Sequence, residues 1–200
     1  MVVAPRVAVG PSPNEFVEGA IRHGGGTPAA VGEPADGLVW LARNDIRGLR
    51  GALKTMPTIR WIQLPSAGVE GFADQDLFTD GRMWTCAKGA YGEVVAEHAL
   101  TLALAGLRQI PDRVRASSWG PQGGVSLYDQ RVTILGGGGI AKALIALLAP
   151  FRAKVTVVRR NAVPVSGAER VLTTSALCQT LPGATVVSRR LWTGAQCQRE

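Results

Sequence analysis

Cysteine is scarce in this chain of 200 residues, and the three that occur, Cys86, Cys178 and Cys197, form no CxxC pair. This spacing argues against a zinc knuckle or a dense disulfide framework and fits a reducing compartment. The chain has no run of about 18 uncharged apolar residues, so no membrane-spanning helix is expected. Its amino terminus lacks the basic and then apolar pattern of a signal peptide, so we expect cytoplasmic localisation.

Lysine is scarce as well, with 4 residues against 18 arginines. The net charge of +7 raises the question of nucleic acid binding. The arginines are scattered, however, with no long basic run and no alternation of basic and aromatic residues. A nucleic acid partner is therefore not expected, although steeply salt-dependent DNA binding would indicate one.

The first part of the chain alternates short apolar strands with helices. The pattern predicts strands over residues 6–10, 37–41 and 58–64, and helices over residues 14–23 and 46–54. Such an alternation is typical of a parallel α/β layer. The loop Ser66, Ala67 and Gly68 follows the third strand, at the edge of a parallel sheet where ligands bind.

Residues 94–110 form the longest predicted helix, which is apolar almost all round. A helix of this kind is buried between layers or lies in a subunit interface. Residues 112–124 are polar, contain glycine and proline, and predict a connection. The change of pattern near residue 94 predicts two domains, residues 1–93 and residues 94–200.

After residue 130 the α/β pattern begins again. We predict strands over residues 131–135, 154–158, 171–172 and 184–187, and helices over residues 140–148 and 175–181. Four consecutive glycines, Gly136 to Gly139, join the first of these strands to its helix. The spacing Gly136-x-Gly138-x-x-Ala141 matches the phosphate-binding turn of dinucleotide folds.

Each position of that motif has a physical role. The first glycine permits the tight turn, the second lets the backbone approach a pyrophosphate, and the third, small residue lets helix and strand pack. The amino end of the helix turns its free N–H groups toward the phosphates. We therefore predict a dinucleotide site at Gly136, Gly138, Gly139 and Ile140; the alternative is an ordinary glycine-rich turn.

Arg159 and Arg160 stand at the end of the second strand of this unit. An acidic residue there would bind the ribose hydroxyls of NAD, whereas guanidinium groups suit the 2′-phosphate of NADP. The sequence thus favours NADP over NAD. The alternative interpretation is two solvated arginines.

Four stretches together resemble the D-isomer-specific 2-hydroxyacid dehydrogenases, the family of phosphoglycerate, glyoxylate and hydroxypyruvate enzymes. They are residues 53–70, which contain the sequence LPSAG, residues 95–100 with the sequence VAEHAL, Trp119, and residues 130–160 with the glycine turn. The resemblance runs over most of residues 1–184. It implies a flavodoxin-like substrate domain followed by the first half of a Rossmann sheet.

The resemblance also implies functional roles. The backbone amides of Ser66, Ala67 and Gly68 would face the carboxylate of a small 2-keto or 2-hydroxy acid. The helix over residues 94–110 would help to form a homodimer. His98 matches a structural histidine of that helix and not a catalytic one.

The chain departs from the family in its last part. Family members use an arginine, a glutamate and a histidine for hydride transfer, and the resemblance places all three beyond the last residue of this chain. We therefore assign no catalytic residue and no metal ligand, and expect a C-terminally truncated, inactive member. Residues 185–200 also depart from the expected apolar strand.

The hypothesis for this tail is a shifted reading frame, which predicts that another frame of the downstream gene encodes the three residues. A genuine basic C-terminus is the alternative. Two functions stay open: an oxidoreductase of this family, or a non-enzymatic remnant or dinucleotide-binding module.

Overall fold

The chain divides between Ala90 and Tyr91 into two units, Met1–Ala90 and Tyr91–Glu200. The computed structural model describes residues 4–73 and 77–189. The departing tail, residues 185–200, therefore lies largely outside the described residues, because residues 190–200 are not among them. Each unit is described below by itself.

Unit 1 alternates strands and helices as the sequence predicts. Its strands are β1 (Arg6–Gly10), β2 (Thr27–Ala30), β3 (Gly37–Trp40), β4 (Trp61–Leu64) and β5 (Met83–Cys86). Its helices are α1 (Glu15–His23), α2 (Ile46–Thr55) and the short α3 (Glu70–Ala73), and a 3-10 turn covers Leu77–Thr79. All pairings are parallel, in the order β2-β1-β3-β4-β5. This is the flavodoxin-like order, which confirms the predicted fold class.

Both longer helices of unit 1 begin at a side-chain cap. Asn14 Oδ1 accepts a hydrogen bond of 3.1 Å from the amide of Val17. Asp45 Oδ1 accepts one of 2.8 Å from the amide of Gly48. Each cap satisfies a donor that the first helical turn leaves free, so the chain turns from loop to helix at a defined residue.

The two outer strands, β2 and β5, were not predicted. Strand β2 contains Pro28, which cannot donate to a ladder, and it pairs with β1 alone. Strand β5 pairs only with β4, and its first residue, Met83, is largely exposed. Edge strands are covered less than central ones, so their sequences lack the apolar runs that predict β1 and β3 and the apolar–polar alternation that predicts β4.

Unit 2 contains the second parallel sheet. Its strands are β6 (Arg131–Leu135), β7 (Lys154–Arg159), β8 (Arg170–Thr173) and β9 (Val186–Arg189), and its helices are α4 (Gly92–Leu107), α5 (Ile110–Arg115), α6 (Gly139–Leu148) and α7 (Leu177–Thr180). The strand order β8-β7-β6-β9 is that of the first half of a Rossmann sheet, as predicted. The last predicted strand extends beyond residue 187: Ser188 and Arg189 continue the pairing of β9 with β6. An edge strand with one partner tolerates such polar residues.

The long predicted helix is broken before residue 110. Helix α4 ends at Leu107, and Gln109 has a φ of 55°, in the left-handed region. Helix α5 then begins at Ile110 and occupies part of the segment predicted as a connection. One face of α4 packs against α6 and contributes Ala96, which is fully buried, to the core of unit 2.

Candidate functional site

The glycine turn lies at the carboxyl end of β6. Gly136 has a φ of 103°, which a residue with a side chain rarely adopts. Its amide donates a 2.8 Å hydrogen bond to the carbonyl of Val158 and so continues the pairing of β6 with β7 by one residue. Gly138 caps α6 with extended backbone (φ −84°, ψ −167°), and Ala141 is buried against the core. The motif thus lies between strand and helix, as the dinucleotide interpretation requires.

Several amides of this turn have no acceptor in the described part of the chain. The N–H groups of Gly138, Gly139, Ile140 and Ala141 donate to no described backbone or side-chain atom, and the first helical bond to the turn runs from Lys142 to Gly138 at 3.1 Å. Helix α6 follows with ten residues and directs its positive end at the same place. Free amides together with a helix amino end form a site for an anion such as a pyrophosphate.

The four glycines have three different environments. Gly136 needs its positive φ, whereas a Cβ on Gly137 would lie 3.1 Å from Cδ of Arg159. A Cβ on Gly138 or on Gly139 would meet no atom within 4 Å, and neither residue has a positive φ. Neither backbone strain nor protein packing therefore demands glycine at these two positions. The open space beside them fits a group that approaches the backbone closely, as a dinucleotide does.

Of the two predicted arginines, the structure brings Arg159 to the turn. Arg159 is half-buried, and its Nη1 donates to the carbonyl of Val163 at 3.4 Å. Arg160 is exposed. Sequence reasoning did not include Gly137 among the site residues, because its contact with Arg159 depends on the register of β6 with β7. The available signal was a glycine at residue 137, a position at which the motif Gly-x-Gly does not require one.

The loop Ser66–Ala67–Gly68 lies in unit 1, directly after β4. All three residues are half-buried. The Ser66 hydroxyl donates a 2.8 Å hydrogen bond to the carbonyl of Gly68, which holds the loop closed on itself. Within the described residues, the three amides donate to no backbone acceptor. The loop therefore presents consecutive donors of the kind that bind a carboxylate.

The remaining candidate groups lie on the surface. His23 ends α1 and His98 lies within α4, and both are exposed. Cys86, by contrast, is half-buried, and it forms no disulfide bond among the described residues. Among residues 4–73 and 77–189, no group of three acidic, histidine or cysteine side chains could hold a metal ion. No helix in those same segments is long and apolar enough to cross a membrane.

Residues 96–192 match the family model for the NAD binding domain of D-isomer specific 2-hydroxyacid dehydrogenases. Over 117 residues, which are 56% of this chain, the sequence is 32% identical to the "Uncharacterized protein in proB 3'region" of Corynebacterium melassecola. That alignment covers 38% of the relative, so the chain spans well under half of its length.

Two solved structures have a similar fold. One is a D-isomer specific 2-hydroxyacid dehydrogenase family protein from Aeromonas salmonicida subsp. salmonicida, with a TM-score of 0.72 and 21% identity over 92% of this chain and 63% of that one. The other is a D-isomer specific 2-hydroxyacid dehydrogenase from Xanthobacter autotrophicus in complex with NADPH and MES, with a TM-score of 0.75 and 18% identity over 96% of this chain and 65% of that one. The chain thus spans less than two thirds of both solved chains. At these identities the likeness shows the fold alone.

Proposed function

Residues 96–192 match the NAD binding domain of the D-isomer specific 2-hydroxyacid dehydrogenases, and from this match we infer that the chain belongs to that family and that the whole protein is an NAD(P)-dependent oxidoreductase of 2-keto acids or D-2-hydroxy acids. The observation that supports this inference most is the open glycine turn, where Gly138 and Gly139 are glycine with neither strain nor packing to require it. The bound dinucleotide would supply or accept the hydride. The residues of the turn would hold its pyrophosphate through their free amides.

Within that site we propose NADP as the preferred cofactor. Arg159 lies against the turn, and Arg160 follows it at the exposed end of β7. A guanidinium suits a 2′-phosphate, and neither arginine takes part in an ion pair among the described residues. The NADPH in the Xanthobacter autotrophicus relative supports the same choice.

For the substrate, we propose a small acid of the phosphoglycerate, glyoxylate or hydroxypyruvate type. Its carboxylate would accept hydrogen bonds from the amides of Ser66, Ala67 and Gly68, which have no described backbone acceptor. The loop follows β4 at the carboxyl edge of its sheet, where open α/β folds bind ligands. A nucleic acid partner is not part of this proposal.

These 200 residues by themselves are proposed to bind the dinucleotide without turning a substrate over. The chain has two histidines, His23 and His98, and the family resemblance gives neither the acid–base role. A non-catalytic dinucleotide-binding module is therefore the second candidate function. It shares the glycine turn with the first and differs from it in lacking turnover.

Titration of the purified chain with NADPH and NADH, followed by an assay with glyoxylate and hydroxypyruvate, tests the proposal. We expect saturable binding that is tighter for NADPH, and no oxidation of the cofactor. Turnover by this chain would refute the proposed inactivity and would mean that one of its own residues acts as the acid–base. Failure of both dinucleotides to bind would refute the function itself.

We also propose a homodimer formed through residues 94–110. Val94, His98 and Leu102 recur every four residues on α4 and share one stripe, and Val94 and Leu102 are 65% and 59% exposed. Exposed apolar side chains on a helix that is also packed on its other face indicate an interaction surface. Light scattering of Leu102→Glu against the parent chain tests this: we expect a dimer for the parent and a monomer for the variant. A monomeric parent chain would refute the proposal.

A further inference from the structure

Gly137 differs from its neighbours because another side chain fills the space where its own would be. A Cβ at this position would lie 3.1 Å from Cδ of Arg159 and 3.3 Å from its Nε and Nη1. Real Cβ atoms are seldom so close to another heavy atom. The contact involves the guanidinium end of Arg159, so the space left by Gly137 is where that group lies.

The register of the sheet creates this contact. Leu135 pairs with Val158, and the amide of Gly136 donates to the carbonyl of Val158 at 2.8 Å. By this register Gly136 lies opposite Arg159, and the Arg159 side chain reaches Gly137, the next residue of the turn. Beyond this packing, Arg159 has one long hydrogen bond, 3.4 Å to the carbonyl of Val163. It forms no ion pair within the described residues. Most of its five N–H donors therefore remain available for a ligand.

We propose that Gly137 is a positioning residue for NADP selectivity: it lets the guanidinium of Arg159 lie along the glycine turn, at the end of β7 where a 2′-phosphate is recognised. The inference rests on the proposed dinucleotide function. It adds a second determinant to that site, since the selectivity then depends on the absence of a side chain at residue 137 as well as on the arginine.

The size of the added side chain sets the expected effect. An alanine at residue 137 requires Arg159 to move by a few tenths of an ångström, which a flexible side chain can do. A valine adds two further carbons on the same side and displaces the guanidinium from the turn. Residue 137 has no positive φ, so either substitution leaves the backbone conformation accessible.

The test compares two fragments that differ by one phosphate, 2′,5′-ADP and 5′-AMP. Their dissociation constants are measured by calorimetry for the parent chain, Gly137→Ala, Gly137→Val, Arg159→Ala and the double variant Gly137→Val/Arg159→Ala. We expect the parent to bind 2′,5′-ADP at least about tenfold more tightly than 5′-AMP, as one charge-assisted contact provides. This ratio should fall by about tenfold in Gly137→Val and less in Gly137→Ala, with 5′-AMP binding unchanged.

The double variant separates positioning from a general effect on the fold. We expect its ratio to equal that of Arg159→Ala, because the valine then has no guanidinium to displace. A parental ratio in Gly137→Val, or a double variant well below Arg159→Ala, overturns the role of Gly137 while the dinucleotide site stands. A parent chain that binds both fragments equally overturns the role of Arg159 as well. Binding of neither fragment by the parent overturns the proposed function, so the failures are distinguishable. Gly137→Ala, the milder variant, keeps the test valid if the valine unfolds the unit.

Discussion

The two units use glycine next to their strands in opposite ways. In unit 1, a Cβ on Gly10 would lie 2.6 Å from Cγ2 of Val31 and 2.8 Å from the ring of Trp40, and one on Gly37 would lie 2.6 Å from the ring of Trp61. Tryptophan rings, joined at Gly10 by Val31, therefore fill the spaces that these glycines leave. In unit 2, a Cβ on Gly138 or on Gly139 would meet nothing within 4 Å.

The contrast shows that glycine beside a parallel strand has two separate uses. In unit 1 it lets a large ring pack close to the backbone, which increases the buried apolar area. In unit 2 it leaves the backbone accessible from outside. The difference does not divide strictly by unit, because the guanidinium of Arg131 lies over Gly183 in unit 2. Gly10 and Gly37 thus serve packing, whereas Gly138 and Gly139 leave a place for a ligand. Gly137 is filled as well, but by the arginine that we place at the ligand site.

The largest effect is expected at a filled glycine. Gly37→Ala places a methyl group 2.6 Å from Cε3 of the Trp61 ring, whose Nε1 donates a 2.8 Å hydrogen bond to the hydroxyl of Thr85. Because the ring cannot move without breaking that bond, we expect the free energy of unfolding to fall by about 1–3 kcal/mol. Thermal melting should show a shift of roughly 4–8 °C for each kcal/mol.

Gly51→Ala is the matched control for that variant. Gly51 lies exposed within α2, and a Cβ there meets nothing within 4 Å. Alanine is the better helix former, so this change should raise the free energy of unfolding by about 0.5–1 kcal/mol. Equal destabilisation by both variants would contradict the assignment of Gly37 as a filled position.

The second largest expected effect is on NADPH binding and concerns an open glycine, Gly138. Gly138→Ala adds a methyl group in free space, and the φ of −84° suits alanine. We expect the melting temperature to stay unchanged while NADPH binding weakens about tenfold, because the methyl group enters the space that the pyrophosphate needs. Fluorescence titration measures the binding. Gly106→Ala, an exposed change near the end of α4 with similarly free space, should leave NADPH binding unaltered and raise the melting temperature slightly, as alanine in a helix does. Unchanged binding by Gly138→Ala would mean that the open turn is not the ligand site.

Much of the fold could be predicted from local pattern. The apolar runs of β1, β3 and β6 are buried on both sides, and the glycine spacing before α6 has a local steric cause, so the sequence carries both signals directly. The edge strands of unit 1, β2 and β5, could not be predicted, because they bury too little surface to require apolar runs. The edge strands of unit 2, β8 and β9, were predicted in part. The break at Gln109 also gave no signal, since glutamine rarely adopts its φ of 55°.

The candidate site was predictable in position and less so in its details. The motif located the turn and the two arginines. Which of the arginines lies on the turn, and which of the four glycines is filled, depend on the register between β6 and β7. Such register is a tertiary property, which residue spacing within one strand cannot express.

The smallest expected effect is on stability and concerns Asp129. This residue precedes β6, at the end of the strand opposite to the glycine turn. Its carboxylate accepts hydrogen bonds from Arg152 Nε and Nη2 at 2.9 and 2.7 Å. These bonds lower the pKa of Asp129, and the nearby charges of Arg152 and Lys154 add to the effect. A lowered carboxyl pKa stabilises the fold at pH values above the ordinary carboxyl value. This contribution is lost as the pH falls through the lowered value. Both side chains are exposed, so the effect on stability should be small.

Arg152→Ala should therefore raise the pKa of Asp129 toward its ordinary value, as a carbon-detected NMR titration of the Asp129 carboxyl measures. Lys154→Ala should raise it less, since Lys154 acts by charge alone. NADPH binding should be the same in both variants, because the contact between Asp129 and Arg152 lies at the amino edge of the sheet, at the end of β6 opposite to the glycine turn. It stabilises the fold without touching the ligand. A loss of NADPH affinity in Arg152→Ala would break the separation of structural and ligand-facing positions within unit 2.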